Sequence, residues 1–470
     1  MTKPPFKRIF VANRGEIAVR VIRACESLGI ESVVGVSEAD RDSLAAQLAS
    51  HVVCIGPASA SLSYLKPEAL ITAALGTGCK ALHPGYGFLS ERASFSRLCG
   101  ESGLVFIGPS PEAIEAMGDK LTAIRHADAA NVPRVPGSGR VSTKAEAQAE
   151  AERIGYPFLF KASAGGGGRG MRIVRSSAEL GPAMDSAAAE AQAAFGDATL
   201  YMEKYIESAR HIEIQILADA HGNVVHLGER DCSTQRRHQK LIEEAPSPFI
   251  SDDVRRTLTE AAVRLTRRVD YRGAGTVEFV YDESTKQAYF LEMNTRIQVE
   301  HPVTEMVTGR DLVVEQIHIA AGEAISFSQD EVRLSGHAIE CRVNAEDPSR
   351  NFAPGPGRIV EWQEPSGEGV RVDSHCYAGY MVPPYYDSLL GKLIVHGPSR
   401  EAAVEKMLTA IDRFKVVGVP TTLGFHRSVM GHDDFAAGRV NTRWVEEHFL
   451  AAKSAVTPSG KQPGKPGVAA

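Results

Sequence analysis

Tyr289-Phe290-Leu291-Glu292-Met293-Asn294-Thr295-Arg296-Ile297-Gln298-Val299-Glu300-His301-Pro302-Val303-Thr304-Glu305 is the stretch on which the reading of this chain turns. It opens as a strand, and strand side chains alternate between faces. Glu292, Asn294, Arg296 and Gln298 then share one face, with Leu291, Met293 and Ile297 packed behind. A face of carboxylate, amide, guanidinium and amide is a poor core and a good site. Upstream, Gly275 to Val280 reads as a second strand with Glu278 between Val277 and Phe279. The polar run Tyr281 to Lys286 suits a turn, so the two strands form a hairpin that sets Glu278 beside Glu292. Two adjacent carboxylates with the Asn294 amide oxygen are hard ligands, suited to Mg²⁺ held jointly with nucleotide phosphates. The bland alternative is a solvated hairpin face; the density of polar groups between apolar flanks favours a site.

The rest of the chain bounds the function. Its 470 residues suffice for about three domains. Hydrophobic content of 43% and charged content of 23% are those of a soluble globular enzyme. A net charge of −6 with no basic stripe argues against nucleic acid as the main partner. Seven scattered cysteines, without C-x-x-C pairs, read as reduced thiols of a cytoplasmic protein with neither disulfides nor a zinc site. No apolar run approaches the ~18 residues of a membrane span. The N-terminus passes straight into a strand, which argues against a signal peptide.

From residue 8 to 110, short apolar runs at 8–12, 33–36, 52–55 and 80–82 alternate with helical stretches. The helix from Glu16 to Leu28 carries an apolar stripe at 17, 18, 21, 22, 24 and 28. This pattern predicts a parallel sheet with crossover helices. His83-Pro84-Gly85-Tyr86-Gly87-Phe88-Leu89-Ser90 leaves the sheet as a loop with an exposed Tyr86, where such folds gather ligands. A single helix is expected after Ser110, followed by a Pro/Gly-rich connection. Phe158 to Ser163 and Arg172 to Arg175 are strands flanking Ala164-Gly165-Gly166-Gly167-Gly168-Arg169-Gly170-Met171. That loop matches G-x-G-x-x-G only formally, since it opens a strand and not a helix. Its bare amides, with Lys161 and Arg169, suit a lid over phosphates. In His211 to Leu217, His211, Glu213 and Gln215 face away from the isoleucines. A strand at 224–227 leads into Glu229 to Lys240, a charged cluster read as local positive potential favouring a small anion. Gly336 to Asp347 begins a last strand-rich region, with Arg342, Glu340 and Asn344 on one strand face.

Ala12 to Ala18, His83 to Ser90, the glycine loop, Gln235-Arg236-Arg237-His238-Gln239-Lys240 and Glu292 to Pro302, in this order over about residues 6–450, resemble biotin carboxylase, the ATP-grasp component of biotin-dependent carboxylases. The resemblance implies a mixed α/β and α+β fold. Its parts are an N-terminal Rossmann-like preATP-grasp domain over 1–115 and an ATP-grasp domain over 116–333 with a glycine-rich lid over about 132–206. A β-rich C-terminal biotin carboxylase domain over 334–450 and a flexible tail over 451–470 follow. The implied reaction is ATP-dependent carboxylation of biotin by bicarbonate through carboxyphosphate. Lys120, Lys161, Gly167, Gly168 and His238 would hold phosphates and ribose. Glu203, Lys204 and Ile206 would sit at the adenine edge with His211 nearby. Glu278, Glu292 and Asn294 would carry Mg²⁺, or Mn²⁺ in its place. Lys240, Arg296, Gln298 and the Val299 backbone would hold bicarbonate, with Glu300 as base. Tyr86 and Arg342 would meet biotin, Arg342 stabilising its enolate. Ala164 departs from the glycine that many relatives have there.

The implied partners are a biotin carboxyl carrier protein, carboxyltransferase subunits and a second copy of the chain, in the cytoplasm, with no nucleic acid and no membrane. None of the ten methionines is followed by lysine, so a biotin-accepting Met-Lys turn is not expected and only the first half-reaction is. Another ATP-grasp ligase working through an acylphosphate would share the hairpin carboxylates and the lid, but not Tyr86 with Arg342. A non-enzymatic nucleotide-binding regulator would have lost some of Lys240, Glu278, Glu292, Arg296 or Glu300, and none is missing.

Overall fold

The computed structural model describes residues 6–162 and 171–450. The expected glycine lid, with Ala164, Gly167, Gly168 and Arg169, and the tail after 450 lie outside the described residues. At the N-terminal end, Arg8–Val11 (β1), Glu31–Ser37 (β2), His51–Gly56 (β3), Ala81–His83 (β4) and Val105–Phe106 (β5) form a parallel sheet of order β3-β2-β1-β4-β5. Helices Gly15–Ser27 (α1), Leu44–Leu48 (α2), Pro67–Gly76 (α3) and Ala93–Glu101 (α4) connect them. Ile9, Phe10 and Val11 are buried in succession, as strands covered on both faces require. Gly15 opens α1 at φ +69°, a conformation that side chains disfavour and that lets the chain turn sharply out of β1.

The single helix expected after Ser110 is two, Pro111–Gly118 (α5) and Lys120–Ala129 (α6). Asp119 between them is extended and accepts the Thr122 amide at 2.8 Å, so it stops one helix and caps the next. A smaller unit follows: Gly137–Val141 (β6), Lys144–Ile154 (α7), Phe158–Ala162 (β7), Arg172–Val174 (β8), Ser177–Phe195 (α8) and Leu200–Lys204 (β9). Its antiparallel sheet has the order β6-β9-β7-β8.

The largest sheet floors the molecule. It begins with Ala209–Ala218 (β10), Val224–Arg236 (β11), Gln239–Ala245 (β12), Gly273–Asp282 (β13) and Gln287–Asn294 (β14). The strand expected to end at residue 227 runs on to Arg236, because Glu229, Arg230 and Asp231 are all buried with partners across the ladder. The charged run therefore spans the end of β11, a turn and the start of β12, with Glu229, Arg230 and Asp231 engaged in the ladder. Its two-residue turn, Arg237 and His238, has φ +47° and +65°, a type I′ geometry usually reserved for Asn and Gly. Ile212, Ile214 and Ile216 of β10 pack under Asp252–Arg268 (α9), which leaves His211, Glu213 and Gln215 on the opposite face, as read from the alternation.

After His301–Thr308 (α10) and Leu312–Ala320 (α11) comes His337–Asn344 (β15). Short strands Glu346–Asp347 (β16), Ala353–Pro354 (β17), Gly357–Arg358 (β18) and Glu361–Gln363 (β19) precede Val370–Ser374 (β20), Met381–Val382 (β21), Leu389–Gly397 (β22), helix Arg400–Arg413 (α12) and Lys415–Val417 (β23). β16 with β17, β18 with β21 and β19 with β23 form three small two-stranded sheets, whereas β15, β20 and β22 join the large one. β15 pairs with β12, and the order β14-β13-β10-β11-β12-β15-β22-β20 makes one eight-stranded sheet. On its far side Glu244 accepts from Arg400 Nε at 2.7 Å and stands 2.9 Å from His337 Nε2. Burial opposes its ionisation, but His337 and Arg400 outweigh burial and hold the carboxyl at about 2. A depressed acid stabilises above the ordinary carboxylate range and stops doing so as pH falls towards 2. Arg400→Met should therefore unfold at a higher pH than the parent in an acid titration followed by circular dichroism; an unchanged midpoint would reject the coupling.

Candidate active site

A cavity of about 950 Å³ lies between the charged face of the large sheet, the small four-stranded unit and the loops leaving β1 and β4. The β13–β14 hairpin places Glu278 opposite Glu292, as the alternation predicted. The register slips just beyond them, so that Phe279 faces Phe290 and Leu291 is left over as a bulge. Leu291, expected behind the strand, is 36% exposed and lines the cavity for this reason. The alternation also ends with the strand at Asn294; Arg296, Gln298 and Glu300 reach the cavity from the turn that follows.

Lys240 is the hub. Its Nζ reaches Glu213 at 2.5 Å, Glu278 at 2.9 Å and Glu300 at 2.6 Å. Arg342 Nη2 donates to the other oxygen of Glu300 at 2.9 Å, while its Nε donates to Glu243 at 2.6 Å. Burial opposes ionisation of Glu300, yet Lys240, Arg342 and the nearby Arg230 hold it well below the usual carboxylate range. Glu278 is held down in the same way, against its burial, chiefly by Lys240 and His211. It also accepts from Asn294 and Gln298, each at 2.8 Å. Glu292 opens onto the cavity, and its pKa is pushed up by burial and then by Glu278. Two carboxylates directly opposite each other, one with its charge discouraged by the other, form a donor set that a divalent cation would relieve. The oxygen-only ligands Glu278, Glu292 and Asn294 therefore fit Mg²⁺.

Arg296 Nε donates to Glu91 at 2.9 Å and its Nη2 to Asn294 at 3.0 Å. Glu91 also accepts the Thr295 amide, so this residue after the His83–Ser90 loop holds the turn that carries Arg296. Sequence reasoning passed over it, although an acid closing a glycine-rich loop was the available signal. Arg230 was missed as well, and it donates to Gln215, Thr304, Thr276, Gln298 and Glu213 from a wholly buried place beneath the site. Tyr86, expected to be exposed, is half-buried because its hydroxyl donates to the buried Glu16, which Lys392 also approaches at 3.1 Å. The Val299 carbonyl accepts from Lys392 at 2.8 Å.

On the roof, Lys161 and Glu203 are paired with each other, and Lys204 Nζ donates to the Tyr156 carbonyl at 2.8 Å. Ile206, His211 and His238 line the cavity. Lys120 is exposed at the start of α6 with its Nζ 5.5 Å from the centre of the Tyr201 ring, and it does not line the cavity. All seven cysteines are unpaired.

A cleft with an acid-rich, cation-bridged floor and a separate roof defines an enzyme acting on anionic substrates together with a metal. Three family models match in succession: the biotin carboxylase N-terminal domain over 5–114, the carbamoyl-phosphate synthase L chain ATP binding domain over 119–327, and the biotin carboxylase C-terminal domain over 340–447. Biotin carboxylase of Nostoc sp. is 56% identical over 94% of this chain and 99% of its own length. The crystal structure of a biotin carboxylase complex with β,γ-ATP from Campylobacter jejuni aligns at a TM-score of 0.89 and 47% identity, covering 94% of this chain and 99% of that one. A dimeric biotin carboxylase domain of 2-oxoglutarate carboxylase from Hydrogenobacter thermophilus, with MgADP, ADP and bicarbonate, aligns at 0.87 and 48%, covering 94% and 98%.

The chain belongs to the biotin carboxylase family, whose members are ATP-dependent ligases. The mixed α/β fold, with a parallel N-terminal sheet and an antiparallel ATP-grasp sheet, is that of the family.

Proposed function

We propose that this cavity carboxylates biotin presented by a separate carrier protein, and that the residues around Lys240 divide the work. The observation that carries this reading is the bridge from Lys240 to Glu300 to Arg342, which would join bicarbonate on one side to biotin on the other. Bicarbonate would lie against Lys240, Arg296, Gln298 and the Val299 backbone, and Glu300 would remove its proton as it attacks the γ-phosphorus of ATP. Carboxyphosphate and ADP result; carboxyphosphate then yields CO₂ and phosphate, and the phosphate takes the ureido proton of biotin. Arg342 would hold the developing enolate oxygen, and Tyr86 would border biotin. Such preorganised charge is where phosphoryl-transfer enzymes gain most of their rate.

Mg²⁺ held by Glu278, Glu292 and Asn294 would neutralise phosphate charge. Lys120, Lys161, Glu203, Lys204, Ile206, His211 and His238, with Gly167 and Gly168, would hold the nucleotide. Lys161 and Glu203 are paired, so a nucleotide phosphate would compete with Glu203 for the Lys161 ammonium. The same holds on the floor: an anion that draws Lys240 away removes the charge that keeps Glu300 a weak base. Substrate binding itself would thus raise the basicity of Glu300.

The partners are a biotinylated carrier, carboxyltransferase subunits and a second copy of the chain, and the compartment is the cytoplasm. No helix among the described residues is long and apolar enough to cross a membrane. The domain limits proposed remain 1–115, 116–333 and 334–450. Tyr86 and Arg342 on the wall of one cavity favour this reading over another acylphosphate-forming ligase. The test is ATP hydrolysis measured with and without bicarbonate and free biotin. Hydrolysis should require bicarbonate and rise with biotin; hydrolysis indifferent to bicarbonate would reject the reading. Glu292→Gln should abolish turnover with the fold intact, and near-normal activity at ordinary Mg²⁺ would defeat the metal assignment.

A further inference from the structure

Arg342 is held from behind by a pair of acids whose chemistry the reaction scheme does not use. Glu243 on β12 and Glu340 on β15 stand directly opposite one another in the ladder, and both are wholly buried. Side chains so placed have Cβ atoms ~5 Å apart, within easy reach of each other. One Glu243 oxygen accepts from Arg342 Nε at 2.6 Å; its other oxygen, and both oxygens of Glu340, have no hydrogen-bond partner. The surrounding cations are committed elsewhere. Lys240 on β12 serves Glu213, Glu278 and Glu300. Lys392 on β22 donates to the Val299 carbonyl and faces Glu16 and Asp373. From the start of α10 come Glu300, already on Lys240 and Arg342, the His301 ring, and Glu305, which pairs with Arg20 and Arg371.

A buried, ionised carboxylate that accepts no hydrogen bond is strongly disfavoured, and two facing one another are worse. An un-ionised carboxyl needs one acceptor for its O–H, and the free oxygen of Glu243 is the acceptor across the ladder. We propose that Glu340 is a positioning residue that stays un-ionised and donates its O–H to Glu243, so that the pair carries one negative charge and suspends Arg342 between itself and Glu300. The inference rests on the reading of Arg342 as the group that meets biotin. With one charge behind it and one in front, Arg342 is oriented without being pulled away from the incoming ureido oxygen. A second charge behind it would draw the guanidinium back.

Burial pushes Glu243 up to about 7, against the attraction of Arg342, and pushes Glu340 well above the ordinary range despite Lys392. An acid raised on folding keeps a proton that the unfolded chain has lost, so it costs stability increasingly as pH climbs through that window. An amide in place of Glu340 mimics the un-ionised acid and escapes this cost.

The experiment compares Glu340→Gln and Glu340→Ala in the full chain. The parent should show an infrared C=O stretch of a protonated carboxyl at neutral pH that Glu340→Gln lacks. Glu340→Gln should keep kcat within about threefold at neutral pH, whereas Glu340→Ala should lose about tenfold or more in biotin-dependent kcat with the KM for ATP unmoved. The Tm of Glu340→Gln should gain on that of the parent as pH rises above the ordinary carboxylate range. If Glu340→Ala does not fold, the infrared band and the pH dependence of Tm decide alone. The inference is overturned by an infrared band that survives in Glu340→Gln, by a Tm difference that does not grow with pH, or by Glu340→Gln being as impaired as Glu340→Ala. Failure of the biotin reading would look different, because the parent itself would then show no biotin-dependent turnover.

Discussion

Glu300→Gln should lower kcat by about 10²–10⁴-fold, the usual cost of losing a positioned base, with the KM for ATP little changed. Glu300 is buried at the residue preceding α10, with one oxygen 2.6 Å from Lys240 and the other 2.9 Å from Arg342. Glutamine preserves this volume and can still accept from one of the two cations, so the fold should survive. It cannot take a proton, and it relieves the negative charge that Lys240 and Arg342 both face. The measurement is steady-state ATP hydrolysis at saturating bicarbonate, with circular dichroism as a control. A variant that lost only ATP affinity would return Glu300 to a structural role, since nothing between it and the nucleotide would then be catalytic.

Arg230→Met should destabilise the chain by about 3–5 kcal/mol, the range for breaking a buried ion pair from one side. Arg230 is completely buried and pairs with Glu213, itself buried, so its removal leaves a buried carboxylate with Lys240 at 2.5 Å and the His211 ring at 3.8 Å. The same guanidinium donates to Gln298 Oε1 at 2.9 Å and so orients that amide with its NH₂ towards Glu278 at 2.8 Å. Loss of this orientation should raise the KM for bicarbonate in whatever fraction remains folded. Arg230→Lys should not rescue, because one ammonium cannot serve a planar fork that meets five neighbours. Urea unfolding reads the effect; a change below about 1 kcal/mol at constant m would show the network to be dispensable.

The hairpin of Glu278 and Glu292 was legible because period-two alternation and a polar turn are local signals. The register slip at Leu291 was not, since a bulge is settled by which residues find ladder partners on the neighbouring strand. Likewise β11 looked short because charge normally marks the end of a strand. Arg230 and Asp231 remain in the ladder only because Glu213, Arg210 and Ser247, distant in sequence, arrive to meet them. Gly118-Asp119 did carry the signature of a helix stop and an N-cap, and reading the apolar period across it merged two helices. The motif residues of the cavity were visible one by one. Their mutual engagement, Lys161 with Glu203 and Arg296 with Glu91, was not, because it concerns pairs that local sequence does not bring together.

The pairing of β12 with β15 has a mechanical meaning. Lys240 and Arg342 stand on neighbouring strands of a single hydrogen-bonded ladder, so their separation is that of a fixed ruler and not of a hinge. Shearing adjacent antiparallel strands by one step would turn every side chain to the wrong face, which forbids small adjustments. If bicarbonate and biotin lie where proposed, the bench carrying both half-sites is rigid, and the gauge of distance between them is built into the hydrogen-bonded ladder. On that reading, adaptation to different carriers would come from the reach of the tethered biotin arm and not from movement within the sheet.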